Sequence, residues 1–226
     1  MPSSRTDAPS PYEKEALRHL RKVDPVLARF ITDVGPYRVA RRPERFQALV
    51  RAIVFQQLAG AAAQTIYQRF VTSFGNSRFP TPEAVFNAPE AQLRAAGLSR
   101  QKASYIKDLS NHVIEGTINF RRIRSMDDEE VITELTKVKG IGRWTAEMFL
   151  MFNLGRPDVL PVDDLGFQNA VKRAYRLRKH PNAKQLRRLG EKWRPFRSVA
   201  VWYLWQSLRL TLPDARPART SKRRAG

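Results

Sequence analysis

A short turn with two glycines, Lys139-Gly140-Ile141-Gly142, constrains the fold most strongly, because apolar residues at helical spacing lie on both sides of it. These positions are Val131, Leu135 and Val138 before the turn and Ala146, Phe149 and Leu150 after it. The spacing predicts two helices joined by a tight hairpin. Glycine has no Cβ, so it adopts positive φ at little cost and lets another molecule approach the main chain closely. The pattern therefore predicts a helical hairpin with exposed main-chain N–H groups.

The same hairpin has the properties of a phosphate-binding site. Its second helix begins at the turn, and the N-terminus of a helix favours negative charge. Lys137, Lys139 and Arg143 flank the turn and add positive charge. A Gly-x-Gly sequence is also common in turns that bind nothing, so the prediction depends on the rest of the chain.

Composition favours a nucleic-acid partner and excludes several kinds of chemistry. The 226 residues include 41 Lys and Arg against 21 Asp and Glu, a formal net charge of +20. An excess of this size suits a polyanion. The chain has no Cys, which excludes disulfides, thiolate zinc sites and Cys-ligated iron–sulfur clusters. Its three His residues are far apart, which argues against a His-based metal site or triad.

The sequence shows no sign of membrane insertion or secretion. No apolar run approaches the ~20 residues of a membrane span, and the N-terminus has no apolar signal segment. We therefore expect no membrane partner. The expected location is the cytoplasm, associated with the nucleoid, or the nucleus in a eukaryote.

Hydrophobic periodicity predicts an all-α fold of about ten helices. The one candidate strand, Thr117 to Phe120, is short. Neither an internal repeat nor an interdomain linker is evident, so we expect one compact domain over residues 11–212 with two helical lobes and a cleft. Residues 1–10 and the basic residues 213–226 have the composition of disordered tails.

The acidic pair Asp163 and Asp164 is the strongest candidate for chemistry. Leu160-Pro161 favours an extended approach, after which two carboxylates meet a helix start. An Asp in this position is also a common N-cap, worth ~1 kcal/mol. Both roles fit the pair, with one carboxylate capping the helix and the other facing the cleft.

Three further side chains are candidates for a pocket wall. Trp144 and Met148 are one turn apart on the same face of the second hairpin helix. Trp205 falls off the apolar stripe of the last helix, although tryptophan more often belongs to a core. An indole wall would stack on a base and would attract a cationic base more strongly, by ~1–2 kcal/mol when desolvated.

A predicted helix from Phe46 to about Leu58 ends with two amides, Gln56 and Gln57. These amides either form an ordinary polar helix end or act as a wedge or groove-reading group near the predicted cleft.

Four stretches together resemble the helix-hairpin-helix DNA glycosylase superfamily, and within it the AlkA-type 3-methyladenine DNA glycosylase II branch. They are Val138-Lys-Gly-Ile-Gly-Arg-Trp-Thr-Ala146, Pro161-Val-Asp-Asp164, Arg51-Ala-Ile-Val-Phe-Gln-Gln57 and Trp193-Arg-Pro-Phe-Arg-Ser198 leading to Trp205. The resemblance extends from about Leu17 to Leu212. The hairpin followed by the Asp is the specific combination, since each half alone is common.

The resemblance implies a role for each matching residue. Asp164 matches the catalytic aspartate, with Asp163 beside the substrate. The base pocket is matched by Trp144, Met148 and Trp205.

DNA phosphate would be held by the main-chain amides of Gly140, Gly142 and Thr145, with Lys139 and Arg143 at the same hairpin. The predicted DNA-binding residues near the flipped base are Gln56, Gln57 and Leu58, with Gln57 or Leu58 as the wedge that fills the gap. Carbonyls of Thr136, Val138 and Ile141 match those around a structural monovalent cation, Na⁺ or K⁺; no other cofactor is implied.

Departures from the family pattern narrow the expected activity. Lyase members carry a Lys where this chain has Trp144, so no Schiff base can form there and a monofunctional enzyme is expected. We expect no counterpart of the archetype's N-terminal β-rich domain in this sequence, because only about forty residues precede the predicted helix that starts at Phe46. The resemblance implies a monomer that hydrolyses alkylated purines, such as 3-methyladenine and 7-methylguanine, from double-stranded DNA.

Two alternatives remain open: a mismatch- or uracil-type glycosylase, and a non-catalytic helix-hairpin-helix DNA-binding protein. The first needs hydrogen-bonding side chains in the pocket, and the second predicts a filled cleft.

Overall fold

The computed structural model describes residues 12–39, 45–75 and 78–210. Every regular element in these ranges is a helix, which confirms the all-α prediction, and the one candidate strand, Thr117 to Phe120, is not formed. The two predicted tails, residues 1–10 and 213–226, lie outside the described residues, as do residues 11, 211 and 212 of the predicted domain. None of the described helices combines the length and apolar character that a membrane span requires.

Twelve α-helices are present in the described residues, slightly more than the ten or so predicted. They are α1 Glu13–Val23, α2 Pro25–Val34, α3 Arg45–Phe55, α4 Gly60–Thr72, α5 Pro82–Asn87, α6 Glu90–Ala95, α7 Arg100–Ile114, α8 Asp128–Thr136, α9 Arg143–Phe149, α10 Leu165–Ala174, α11 Ala183–Gly190 and α12 Arg197–Ser207. Single 3₁₀ turns occupy Arg122–Arg124 and Glu191–Trp193, and a π-helical turn, Leu150–Leu154, continues α9.

Polar N-caps determine where several helices begin. Thr81 and Ser99 cap α5 and α7 through hydrogen bonds from the main-chain N–H three residues ahead. Asp127, which precedes α8, forms a capping box with Glu130. Asp164 caps α10 in the same way, so the cap is the second member of the acidic pair. Such caps stabilise a helix by ~1 kcal/mol each.

The helices form two groups with the glycine hairpin between them. In one group α5 and α6 pack on α7, and α3 packs on α4 and α7. In the other group α12 packs on α2 and α10, and α1 packs on α2. The hairpin of α8 and α9 touches the first group where α9 meets α3. This arrangement agrees with the predicted two lobes, and one continuous cluster of buried apolar side chains runs through both.

A buried carboxylate, Asp24, ties the N-terminal helices to the C-terminal half. Asp24 is fully buried and caps α2 by accepting from Val26 N–H at 3.0 Å. Its other oxygen accepts from the Tyr175 hydroxyl, from Trp193 Nε1 at 2.8 Å and from Lys192 Nζ at 3.0 Å. Burial alone would raise the pKa of Asp24, but these hydrogen bonds outweigh it and lower the pKa below its ordinary 3.8.

We expect Asp24→Ala to lower the free energy of unfolding by about 3 kcal/mol at neutral pH, because it leaves three donors without their acceptor. The contribution of the carboxylate is fully present above its unfolded-state pKa of about 3.9 and is lost as pH falls through the lower folded pKa. Denaturant unfolding at a series of pH values should show the two proteins converge in acid. Asp33→Ala, which removes an exposed ion pair with Arg29, is the control and should cost about 0.5 kcal/mol or less.

Candidate active site

Asp164 lies where the starts of α9 and α10 and the end of α12 converge. Its Oδ1 accepts from the Phe167 N–H as the cap of α10 and from Trp205 Nε1 at 2.9 Å. Its Oδ2 accepts from Trp144 Nε1 at 2.7 Å. Three N–H donors from three segments therefore fix both oxygens of one half-buried carboxylate.

The two roles predicted for the acidic pair fall on one residue. Asp164 caps its helix and also accepts hydrogen bonds from both indoles. The expectation that one carboxylate of the pair caps the helix while the other faces the cleft is therefore wrong. Asp163 is exposed. Its charge acts instead on Glu147, whose pKa it raises. Asp163 therefore lies beside the cluster without joining the indole hydrogen bonds.

Both tryptophans present surface next to this carboxylate. Trp144 is 47% exposed, far from the core position that tryptophan usually takes. Trp205 is half-buried and stacks on Phe152 with 6.1 Å between ring centroids and 25° between planes. The structure thus brings together three of the residues predicted from the sequence, Asp164, Trp144 and Trp205.

A cavity of about 360 Å³ opens between α3, α9 and α12, and Asp164, Trp144 and Trp205 are not among its lining residues. Met148 lines it, as predicted for a pocket residue, and Phe152 joins it to the cluster because the same ring stacks on Trp205. The remaining lining residues are Arg38, Val39, Ala48, Leu49, Arg51, Ala52, Thr145, Phe149, Asn153 and Trp202. Sequence reasoning missed Phe152, although its spacing of four residues from Met148 and eight from Trp144 is the signal of a shared helix face.

The two glycines of the hairpin serve different purposes. Gly140 has φ +82°, and a Cβ there would lie 2.1 Å from the Tyr105 ring, so only glycine fits. Gly142 is the N-cap of α9 with φ −92°, and a Cβ there would meet nothing within 4 Å. The main chain at Gly142 is therefore open to an approaching group.

The first turn of α9 supplies main-chain donors beside Gly142. The Ala146 N–H donates to the Gly142 carbonyl at 3.1 Å. The N–H groups of Arg143, Trp144 and Thr145 precede it and belong to the helix turn that has no intrahelical acceptor. Thr145 is buried, so its side chain faces inward, towards the cavity.

The cationic side chains at the hairpin are engaged with carboxylates, and their predicted phosphate contacts stay predictions. Arg143 forms a fork with Glu129, with Nη1 2.9 Å from Oε2, and donates from Nε to Glu147 at 3.2 Å. The Lys139 main-chain N–H donates to Asp108 at 2.9 Å, and its ammonium lies 3.7 Å from the same carboxylate. An anion at the hairpin would therefore contact its main-chain N–H groups more readily than the side chains of Lys139 and Arg143.

The loop after α3 departs from the predicted helix. The helix ends at Phe55 and not near Leu58, because Gln57 adopts a left-handed φ of +56° that breaks the helical path. Gln57 and Leu58 are exposed at the tip of the loop, and Leu58 is 40% exposed. Gln56 turns back, and its Nε2 donates to the Gly140 carbonyl at 2.7 Å. Gln56 therefore braces the loop against the hairpin, and its predicted DNA contact stays a prediction.

The carbonyls predicted to surround a cation lie in the hairpin turn. The Val138 carbonyl accepts from the Ile141 N–H at 3.1 Å, so one predicted ligand already has a partner. The second lone pair of a carbonyl can still face a hard cation, as main-chain oxygens commonly do. In the part of the chain that the structure describes, no group of three or more His, Asp or Glu side chains is arranged to hold a metal.

Glu147 is a buried acid that sequence reasoning did not single out. It is 4% exposed on α9. Burial, with a smaller contribution from the charge of Asp163, raises its pKa to about 7 against the opposing effect of Arg143. Its ion pair with Arg143, four residues earlier on the same helix, is the one local signal for this residue, whereas Asp163 comes from a different segment.

Comparison with known proteins decides the family. A family model described as the HhH-GPD superfamily of base excision DNA repair proteins matches residues 50–195, more than half of the chain. The chain belongs to this superfamily. The matched range includes the glycine hairpin, Trp144 and Asp164, the features on which the resemblance rested.

Members of the HhH-GPD superfamily with similar sequences carry consistent names. The DNA-3-methyladenine glycosylase 1 of Schizosaccharomyces pombe is 38% identical over 208 residues, which cover 90% of this chain and 91% of that protein. The solved structure of the S. pombe 3-methyladenine DNA glycosylase with abasic DNA has a TM-score of 0.78 and covers 87% of this chain and 98% of its own. A Bacillus halodurans DNA-3-methyladenine glycosidase, 37% identical, has a TM-score of 0.79 and covers 87% of this chain and 90% of its own. The predicted branch of the superfamily is thereby confirmed.

Proposed function

We propose that this chain is a monofunctional DNA glycosylase that removes alkylated purines, such as 3-methyladenine and 7-methylguanine, from double-stranded DNA in base excision repair. The observation that carries the proposal is the Asp164 carboxylate, held by the N–H groups of two indoles, one of which stacks on Phe152 in the wall of an open cavity. Relatives that align over most of their length are named 3-methyladenine glycosylases, which supports the same substrate class.

The enzyme must first bring the base out of the helix. A base inside a duplex is out of reach, and flipping it costs a few kcal/mol. The open main chain at Gly142 and the first N–H groups of α9 suit a backbone phosphate. The exposed tip of the α3–α4 loop, Gln57 and Leu58, is then available to fill the gap in the stack. Both the phosphate contact and the wedge belong to this proposal.

Asp164 would act on the sugar once the base lies in the cavity. An alkylated purine is cationic, so its glycosidic bond is weakened and the leaving base needs no general acid. The remaining charge develops on an oxocarbenium-like sugar, and one fixed carboxylate can stabilise it and orient or deprotonate water. A carboxylate has about four lone-pair positions. The three donors on Asp164 therefore leave it capacity for water or the sugar.

The aromatic walls suit a cationic base. Trp144 is 47% exposed beside Asp164, and Trp205 is backed by Phe152. An electron-rich indole face attracts a desolvated cation by ~2 kcal/mol. Trp144 also stands where lyase members of the superfamily carry a Lys. The nearby Lys139 is 70% exposed and turned to Asp108, so no amine is offered to the sugar at this point.

Of the alternatives, a mismatch- or uracil-type glycosylase has one observation in its favour. The cavity wall includes Arg51, Thr145 and Asn153, whose side chains are capable of hydrogen bonding. A non-catalytic binder predicts a filled cleft, and it is disfavoured by the open cavity between α3, α9 and α12 and by relatives that are named glycosylases.

An excision assay tests the proposal. Methylated duplex DNA, a uracil-containing duplex and a G·T mismatch are incubated separately with the enzyme, and released bases are identified by chromatography. Release of 3-methyladenine or 7-methylguanine supports the proposal. Release of uracil or thymine alone favours the alternative, and no release from any duplex contradicts glycosylase activity.

The phosphate contact has its own test in Gly142→Val. Its φ is ordinary and its surroundings are open, so the fold tolerates a side chain, but the new methyl groups occupy the space an anion needs. We expect affinity for undamaged duplexes of any sequence to fall by about tenfold in fluorescence anisotropy, since loss of one backbone contact costs about 1.4 kcal/mol. Gly140→Val should instead reduce stability, because of its φ and the Tyr105 ring. Unchanged affinity in Gly142→Val would show that the hairpin does not bind phosphate.

The remaining parts of the proposal concern ions, assembly and location. A monovalent cation, Na⁺ or K⁺, would be held by carbonyls of Thr136, Val138 and Ile141 and would stiffen the turn that faces the phosphate. We further propose that the chain acts as a monomer on chromosomal DNA, in the cytoplasm of a bacterium or the nucleus of a eukaryote.

A further inference from the structure

Helix α7 contacts both loops that the proposed function brings to DNA. Lys102, Tyr105 and Asp108 are spaced three residues apart on this helix, so they follow one side of it. Lys102 touches the α3–α4 loop, whereas Tyr105 and Asp108 touch the glycine hairpin. These three side chains are called the α7 brace.

Lys102 holds the end of α3, immediately before the loop tip. Its Nζ donates to the carbonyls of Val54 and Gln56, both at 2.7 Å. The last carbonyls of a helix lack intrahelical donors and favour a cation. The residue after Gln56 is Gln57, whose left-handed φ of +56° turns the chain outward. Lys102 therefore anchors the main chain from which the loop tip projects.

The partners of the Lys102 ammonium are unusual for a half-buried charge. Burial lowers its pKa, and no carboxylate among the described residues offsets that burial. Both of its hydrogen bonds end on main-chain carbonyls. Because desolvation of a charge opposes folding, an apolar side chain of similar length would serve stability about as well. The ammonium is thus better explained by where it holds the loop than by stability alone.

The second half of the brace fixes the hairpin against the same helix. The Tyr105 ring lies directly beneath Gly140, and Asp108 accepts from the Lys139 N–H at 2.9 Å. Gln56 links the α3–α4 loop directly to the hairpin, because its Nε2 donates to the Gly140 carbonyl at 2.7 Å. The loop tip and the hairpin are therefore connected through Gln56 directly and through α7 indirectly.

We propose that Lys102 is a positioning residue for base flipping: it fixes the α3–α4 loop relative to the hairpin, so that the loop tip enters the base stack while the hairpin holds the backbone. This inference rests on the proposed function. Both hydrogen bonds of the Lys102 ammonium go to the main chain at the end of α3, and Lys102 does not line the cavity, so in this scheme it acts only through the loop.

The experiment compares a paired target with an unpaired one. Single-turnover excision is measured on an alkylated purine in a normal pair and on the same purine in a single-base bulge, where little flipping energy is needed. Lys102→Met should slow excision from the pair by about tenfold, since a displacement of about 1 Å can cost up to a hundredfold. Its rate on the bulge should stay close to wild type. Lys102→Arg, which keeps a cation at the carbonyls, should recover part of the loss.

Two further variants make the result specific. Lys107→Met removes one positive charge from the same helix outside the brace and should match wild type on both substrates. Gln56→Met breaks the link from the loop side and should reproduce the selective defect, which keeps the inference testable if Lys102→Met folds poorly. Thermal melting is recorded for each variant.

Each outcome decides between the inference and alternatives. Equal rates for Lys102→Met and Lys107→Met on the paired target would overturn it, and so would an equal loss on pair and bulge, which marks a general structural role. If wild type releases no base at all, the proposed function fails. A fluorescent base analogue at the target position then still reports flipping, and an unchanged signal in Lys102→Met overturns the inference independently.

Discussion

Asp164→Asn is expected to reduce single-turnover release of 3-methyladenine by about a thousandfold, since removal of one preorganised electrostatic group costs about 10²–10³ in rate. The charge that would face the oxocarbenium-like sugar is lost. The new Nδ2 donor also faces one of the indole N–H groups of Trp144 and Trp205, which turns a hydrogen bond into a clash of two donors. Asn still caps helices well, so folding should be largely kept.

The same substitution at another cap is the control. Asp127 caps α8 through the Glu130 N–H, as Asp164 caps α10 through the Phe167 N–H. Asp127→Asn should therefore show a similar small change in melting temperature with excision close to wild type. Affinity for undamaged duplex, measured by anisotropy, should be kept or slightly increased in Asp164→Asn because a negative charge is gone. Excision within about tenfold of wild type would refute the assignment of Asp164, since such a loss is below that of a lost electrostatic group.

Trp205→Phe is expected to have the second largest effect, a loss of about a hundredfold in the same rate. The ring would still fill the space beside Phe152, but the N–H that holds Asp164 Oδ1 is removed. The carboxylate then keeps the cap hydrogen bond from Phe167 and the single bond from Trp144. Because Trp205 is half-buried and packed on Phe152, Trp205→Ala would also open a cavity. The effect of the lost hydrogen bond on the rate could then not be separated from the effect of lost packing.

A matched variant separates catalysis from stability. Trp193→Phe also removes one indole N–H from an aspartate, but the aspartate is the buried Asp24. We expect Trp193→Phe to lower the melting temperature while excision at low temperature stays close to wild type. Trp205→Phe should show the reverse. If both variants lose the same fraction of activity and stability, the Trp205 hydrogen bond has no special role in excision.

The fold was predictable where its signals are local. The apolar periodicities and the glycine turn act over a few residues, and both appear in the structure as expected. The caps at Thr81, Ser99 and Asp127 are equally local. The end of α3 was not predictable in this way. The left-handed φ of Gln57 is rare for a residue other than glycine, and the carbonyl of the preceding residue, Gln56, accepts from Lys102, which is 46 residues away in sequence.

The site residues show the same difference between features that have a motif in the sequence and contacts that depend on distant residues. Asp164, Trp144 and Trp205 were predicted because the order of motifs resembles a known family, and the structure brings them within hydrogen-bonding distance. The pairing of Arg143 with Glu129 and the turn of Gln56 to Gly140 were missed. Those roles depend on partners 14 and 84 residues away, and nothing in the adjacent sequence specifies them.

The paired cations at the hairpin have a consequence for how the protein would respond to ionic strength. Lys139 and Arg143 already have carboxylate neighbours, so a phosphate bound there would displace fewer counterions from DNA than two free cations would. Contact through main-chain N–H groups contributes little to the salt dependence of binding, because it neutralises no phosphate charge. A formal charge of +20 therefore overstates what the hairpin itself contributes to that dependence. The affinity of the hairpin for the DNA backbone would therefore fall less with added salt than the affinity of the same motif with unpaired cations.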